Sequence, residues 1–121
     1  MDQERRHDPR LFCRLPVRLY PKQEPRVIET LTKDLSVGGL RCVSRHHRPA
    51  GMPLSVELLL EPGERPLMLT GQVAWSNPIS GSEQFDLGVS FQTFPYFAKK
   101  RLSAYLDRIA LIAAIPASAT D

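Results

Sequence analysis

The chain has 121 residues, 42% of them hydrophobic and 24% charged, with a formal net charge of +3. That length suits one compact domain with a single modest core, and the charge is too mild to imply a nucleic acid polymer as partner. No apolar run approaches the roughly 18 residues of a membrane span, and the charged start lacks the apolar stretch of a secretory signal, so a cytoplasmic protein without membrane contact is expected.

Residues 1–12 read as a flexible N-terminal arm, polar at first and interrupted by Pro9, ahead of one domain over residues 13–115. Five of the twelve arginines (Arg5, Arg6, Arg10, Arg14 and Arg18) fall in the first 18 residues, and no lysine does. Arginine in place of lysine points to planar, bidentate contacts with phosphate or guanine rather than to general attraction. The four-residue spacing of Arg6, Arg10, Arg14 and Arg18 mimics a basic helix face, but Pro9 and Pro16 argue against a continuous helix.

From Leu15 the period becomes two, with Leu15, Val17 and Leu19 on one side of a strand. A second strand is expected over Val27 to Leu35, a polar turn over Asp34 to Gly39, and a third strand over Leu40 to Ser44. Leu54 to Leu60 alternates partly and then becomes fully apolar, which predicts a strand buried on both sides. Leu67 to Trp75 follows, with Leu67, Leu69, Gly71, Val73 and Trp75 on one face; Ser76 to Gln84 reads as a loop and Phe85 to Phe91 as the last strand. After Pro95 the spacing turns helical through Phe97, Arg101, Leu102, Tyr105, Leu106, Ile109 and Ala113, and the helix is expected to end near Ile115, before Pro116. Six short strands and one terminal helix predict a mainly β chain, a small six-stranded antiparallel barrel with a C-terminal α-helix.

Cys13 and Cys42 read as buried thiols, and with His7, His46 and His47 they show no metal-ligand spacing, so neither a disulfide nor a metal is expected. No nucleophile–base pairing, phosphate-binding glycine loop or nucleophile elbow is visible, so no enzyme is expected. The apolar run Ile109 to Ile115 exceeds the single stripe a helix buries on a barrel, which suggests a partner surface or self-association.

The stretch Arg6-His7-Asp8-Pro9-Arg10 fits Arg-x-x-x-Arg, and Asp34-Leu35-Ser36-Val37-Gly38-Gly39 fits Asp-x-Ser-x-x-Gly. A second register, Arg10-x-x-x-Arg14, also fits the first pattern, but the apolar pattern already starts at Leu11. In this order, and with Gly71-Gln72-Val73-Ala74-Trp75, Leu87-Gly88-Val89-Ser90-Phe91 and a terminal helix following, the chain resembles the PilZ domain family over roughly residues 5–106. The resemblance implies a six-stranded barrel that binds the bacterial second messenger cyclic di-GMP, with no cofactor, and relays the signal to a downstream effector protein. It places Arg6 and Arg10 on guanine edges and phosphates, Asp34 and Ser36 on the other side of the ligand with Gly39 shaping the turn, and Trp75 near the ligand, against the competing reading of a core or rim aromatic of the barrel. Gly38 and Gly39 allow positive φ and close backbone approach. Arg5 ahead of the motif is compatible with an intercalated cyclic di-GMP dimer. The physical basis is that an arginine fork matches guanine O6 and N7 for roughly 1–3 kcal/mol, while a carboxylate can accept from guanine N–H groups. Two other readings compete: a ligand-independent interaction adaptor of the same fold, and a small RNA-binding barrel, which would need aromatic platforms interleaved with basic residues.

Overall fold

The computed structural model describes residues 10–93 and 95–113. Seven strands and one helix follow in chain order: β1 Leu11–Phe12, β2 Pro16–Pro21, β3 Ile28–Ser36, β4 Gly39–Ser44, β5 Pro53–Leu58, β6 Leu67–Pro78, β7 Phe85–Thr93 and α1 Tyr96–Ala113. The sheet runs β1-β3-β2-β5-β6-β7-β4, and a further β3–β4 pairing closes six of the strands into an antiparallel barrel, with β1 as an extra strand paired to the Asp34–Leu35 end of β3. The predicted barrel and terminal helix are therefore present. The seventh strand, β1, arises from two residues that the sequence pattern assigns to the arm; it pairs Leu11 with Leu35 and Phe12 with Asp34.

Alternation builds the core. Val17, Leu19, Leu35, Leu40, Cys42, Leu54, Val56, Leu58, Leu67, Leu69, Val73, Leu87 and Val89 point inward and are buried. At about 25 cal/mol per Å² of apolar surface removed from water, these side chains dominate the driving force for closure. Ala98, Leu102, Tyr105 and Leu106 of α1 cover the core. The carbonyl of Pro95 accepts from the Ala98 and Lys99 amides at 3.0 and 3.1 Å, which starts the helix at the proline. Arg101 reaches Glu64 and the Arg65 carbonyl, and Arg108 pairs with Glu61, tying α1 to the β5–β6 turn.

Several expectations need correction. The β3–β4 turn is shorter than read: β3 runs through Ser36 and β4 begins at Gly39, so Asp34 and Ser36 are strand residues and only Val37 and Gly38 turn. Neither Gly38 nor Gly39 has positive φ; Gly51, Gly63 and Gly81 do. The segment from Leu54 alternates buried and half-buried residues, because Ser55, Glu57 and Leu59 lie on the outer side of the barrel. Strand β6 continues to Pro78, since Asn77 and Pro78 pair with Asp86 and Phe85. Phe97 is exposed, because Ala98 rather than Phe97 shares the buried stripe of Leu102, Tyr105 and Leu106. The expected helix end at Ile115 lies outside the described residues; Leu111 and Ile112 are exposed.

Candidate functional site

Two β-bulges decide where the side chains singled out in the sequence point. In β3 the register against β4 shifts between Thr32 and Asp34. Thr32 pairs with Cys42, on the core side, whereas Asp34 pairs with Arg41, on the outer side. In β6 a second shift falls between Val73 and Trp75; Val73 pairs with Val89 inside, and Trp75 pairs with Gly88 outside. An inserted residue re-aims the side chains after it, which is the common use of a bulge beside a site. Strict alternation would put Trp75 on the face of Val73; the bulge at Ala74 turns it outward.

The consequence is one continuous cross-strand row on the barrel exterior. Phe12, Asp34, Arg41, Gly88 and Trp75 follow one another across β1, β3, β4, β7 and β6, each opposite the next. Asp34 is only 2% exposed, and both of its oxygens are engaged. Arg10 Nη1 donates to Oδ1 at 2.7 Å; Arg41 Nε and Nη2 both reach Oδ2 at 2.9 Å. These are charge-assisted bonds, roughly twice as strong as neutral ones. One buried carboxylate thus holds two partly exposed guanidinium groups at fixed positions.

Trp75, 37% exposed, lies across Gly88. A Cβ on Gly88 would stand 2.4 Å from Trp75 Cε2 and 2.5 Å from Nε1, so only glycine lets the indole lie this close to β7. The ring therefore forms an aromatic surface over Gly88, the residue that pairs with Arg41. Phe12 stands at the other end of the row, 83% exposed.

The hairpin turn bounds the row on one side. Ser36 Oγ accepts from the Gly38 amide at 3.2 Å and donates to the Gly39 carbonyl at 3.4 Å, so the hydroxyl braces the Val37–Gly38 turn. Gly39 is required by close packing rather than by φ: a Cβ there would meet the Val89 carbonyl oxygen at 2.2 Å. On the other side a groove of about 780 Å³, lined by Phe12, Leu31, Lys33, Arg41 and Val43 among others, falls in the range of small-molecule sites. Lys33, on its wall, pairs with Asp86 at 2.7 Å.

Of the residues singled out in the sequence, the structure brings together Arg10, Asp34 and Trp75, with Ser36, Gly38 and Gly39 at the adjoining turn. Arg5 and Arg6 lie outside the described residues. Sequence reasoning missed Arg41, whose only signal was an arginine in the alternating strand after the turn, and Gly88, whose only signal was a glycine inside the last strand. It also missed Thr32. Thr32 Oγ1 donates to the Cys13 carbonyl and accepts from the Leu15 amide at 2.9 Å, which moors the segment between β1 and β2 to β3. Both cysteines are free. Burial pushes the Cys42 thiol up to about 12, with the Asp86 charge adding to it. Burial also raises the Cys13 thiol against a lowering hydrogen bond from Thr32, and Asp34 adds to the rise. Among the described residues no group of three or more His, Cys, Asp or Glu could hold a metal ion, and no helix is long and apolar enough to cross a membrane.

The geometry has relatives of known structure. The Bacillus subtilis inhibitor of motility MotI/DgrA superposes with a TM-score of 0.75 at 21% identity, over 88% of this chain and 51% of that one. The PilZ domain of Escherichia coli YcgR, solved with c-di-GMP, superposes with a TM-score of 0.67 at 17% identity, over 91% and 97%. The K. pneumonia MrkH–c-di-GMP complex gives a TM-score of 0.68 at 18% identity, over 89% and 53%. The chain thus spans about half the length of MotI/DgrA and of MrkH, and nearly all of the YcgR domain. No curated protein sequence matches significantly. At these identities the structures establish the shared barrel, and the PilZ domain family model matches residues 4–108, so this chain belongs to the PilZ domain family.

Proposed function

We propose that the chain is a non-catalytic receptor for cyclic di-GMP that passes the signal to a partner protein. The observation that carries this reading is the outer-face row, in which two bulges set the Arg10–Asp34–Arg41 cluster and the Trp75 indole side by side. Guanidinium groups supply donors to guanine O6 and N7 and to the two phosphates; the indole supplies a face on which a purine stacks for roughly 1–3 kcal/mol. The relatives YcgR and MrkH, both solved with c-di-GMP, add support.

In this reading Arg5 and Arg6 close onto the row from the leader, and Ser36, Gly38 and Gly39 form the wall beside the ligand. Ordering backbone costs about 1–2 kcal/mol per residue, and charge-assisted bonds of about 1.5–3 kcal/mol each must exceed it. Arg5 adds a cation and a planar surface suited to a second, intercalated ligand. The closed leader and the exposed Leu111 and Ile112 of α1 present the surface that an effector, or a second copy of the chain, recognises.

Titration calorimetry with cyclic di-GMP, cyclic di-AMP, GTP and a short RNA tests the reading. Saturable heat with cyclic di-GMP alone, at two ligands per chain, is expected, and Arg6→Ala and Arg10→Ala should each weaken it while leaving the barrel folded. Heat with RNA alone would favour an RNA-binding barrel; no heat with any of the four would favour the ligand-independent adaptor. The pure protein should leave cyclic di-GMP unhydrolysed.

A further inference from the structure

The barrel is not paired along the whole β3–β4 seam. Pairing between the two strands ends at Thr32 and Cys42, yet β3 reaches back to Ile28 and β4 on to Ser44. Between these unpaired ends, at the opposite end of the hairpin from the Val37–Gly38 turn, lies a cavity of about 590 Å³. Its walls carry Arg26, Arg45, His46 and Arg48, with Val27 and Val43 as apolar neighbours. Its one lining carboxylate, Glu29, is engaged by Arg18 at 3.2 Å.

The cations here are under-neutralised. Arg48 has a side chain only 10% exposed; Nη1 reaches Glu24 at 3.3 Å, and Nε is buried with no hydrogen-bond partner among the described residues. A buried guanidinium donor without an acceptor is unfavourable unless something else supplies one. Arg26 Nη1 lies 3.2 Å from His46 Nε2, and among the described residues neither Arg26 nor Arg45 forms an ion pair. Ser44 fixes the segment that carries them: its Oγ accepts from the His46 amide at 3.2 Å and donates to the His46 carbonyl at 2.9 Å.

We propose that this seam cavity is a second anion site, built for a phosphoryl group carried on a larger body. Three guanidinium groups and an imidazole, with no lysine, match the planar, bidentate recognition of phosphate oxygens. The volume exceeds what a bare phosphate needs and lies within the range of small-molecule sites. The site does not depend on the cyclic di-GMP reading, because it shares neither Arg10, Asp34, Arg41 nor Trp75 with the row.

The test is a titration of the ¹⁵N-labelled full chain at constant ionic strength with inorganic phosphate, pyrophosphate and a phosphoserine peptide, followed by backbone amide shifts. Saturable shifts at Ile28, Arg45, His46 and Arg48 are expected, with half-saturation weakened about tenfold or more in the Arg26→Gln/Arg45→Gln double variant. These two side chains are exposed, so the variant should fold even where Arg48→Gln does not. Arg10→Ala and Arg41→Ala should leave this binding unchanged, which separates it from ligand binding at the row. Tighter binding of pyrophosphate identifies a diffusible metabolite as the source, and tighter binding of the peptide a phosphorylated protein. Shifts that do not saturate, or that persist undiminished in the double variant, would overturn the proposal.

Discussion

Gly88→Ala probes the row where its geometry is tightest. The new Cβ would sit 2.4 Å from Trp75 Cε2, roughly 1 Å or more short of an ordinary carbon–carbon contact. Strand β7 is fixed by pairing to β4 and β6 on both sides, so the indole must move rather than the backbone. A ring of this size buries about 150–250 Å² when packed; lifting it from β7 gives up on the order of 100 Å², or about 2.5 kcal/mol at 25 cal/mol per Å². Because the indole already stands partly in water, the loss falls on the outer face and the core stays intact. If the same face stacks a guanine, losing about 1–3 kcal/mol raises Kd about 5- to 150-fold. Trp75 is the sole tryptophan, so its fluorescence reports the displacement directly and quenching by cyclic di-GMP reports binding. The expected result is a changed emission maximum in Gly88→Ala without ligand, with weakened binding matching that of Trp75→Ala. Gly88→Ala with altered emission but unaltered affinity would refute the idea that the seated indole is part of the binding surface.

Other perturbations reach separate parts of the molecule. Arg41→Gln removes two contacts to Asp34 Oδ2 and should weaken cyclic di-GMP binding about tenfold or more in calorimetry, with the barrel still folded. Thr32→Val strands the Leu15 amide and the Cys13 carbonyl; a cost of about 1–3 kcal/mol and faster hydrogen exchange at Leu15 are expected. Gly39→Ala drives a Cβ against the Val89 carbonyl, which is backbone and cannot step aside, so soluble folded yield should collapse. Cys42 holds its proton to about 12 in the fold against 9.0 for the free thiol, so the native state binds more protons between those values. Stability is therefore lost as pH rises through that window, at up to about 1.4 kcal/mol per pH unit. Urea unfolding from about pH 8 to about pH 10 should show the advantage of the parent chain over Cys42→Ala shrinking with pH.

The barrel was legible because its strands alternate. Val17 with Leu19, and Leu87 with Val89, each state their structure locally. Strand β1 was not legible, since two residues carry no period; it exists because Leu11 and Phe12 pair with Leu35 and Asp34, past the stretch of β3 that pairs with β2. The motif residues were legible as types and spacing, but their directions were not. An alternating reading places Thr32 with Asp34 and Val73 with Trp75, and both pairings are broken by bulges whose existence depends on the partner strand. Arg41 and Gly88 gain their meaning only across the ladder, one opposite Asp34 and the other beneath Trp75. Local pattern therefore named the ingredients, and long-range register assembled them.

That assembly changes what Asp34 can do. From the sequence, its carboxylate was a candidate acceptor for guanine N–H groups. In the fold it is 2% exposed with both oxygens bound to guanidinium groups. For a base to reach Oδ1, Arg10 must first leave a charge-assisted bond of 2.7 Å. Exchanging that bond for one to a neutral N–H would be unfavourable unless the freed guanidinium gained a phosphate or guanine acceptor in return. Arg10 is 45% exposed at its side chain, free enough to make such a move, whereas Arg41, on a central strand of the closed barrel, is held more tightly. The two roles separate experimentally in Asp34→Asn, which keeps an acceptor oxygen for guanine but loses the charge that positions the arginines. If Asp34 acts as the positioning anchor, Asp34→Asn should weaken binding nearly as much as Arg10→Ala, and the two losses should not add when combined. Near-normal affinity in Asp34→Asn would instead make the carbonyl oxygen, facing the base directly, the part that matters.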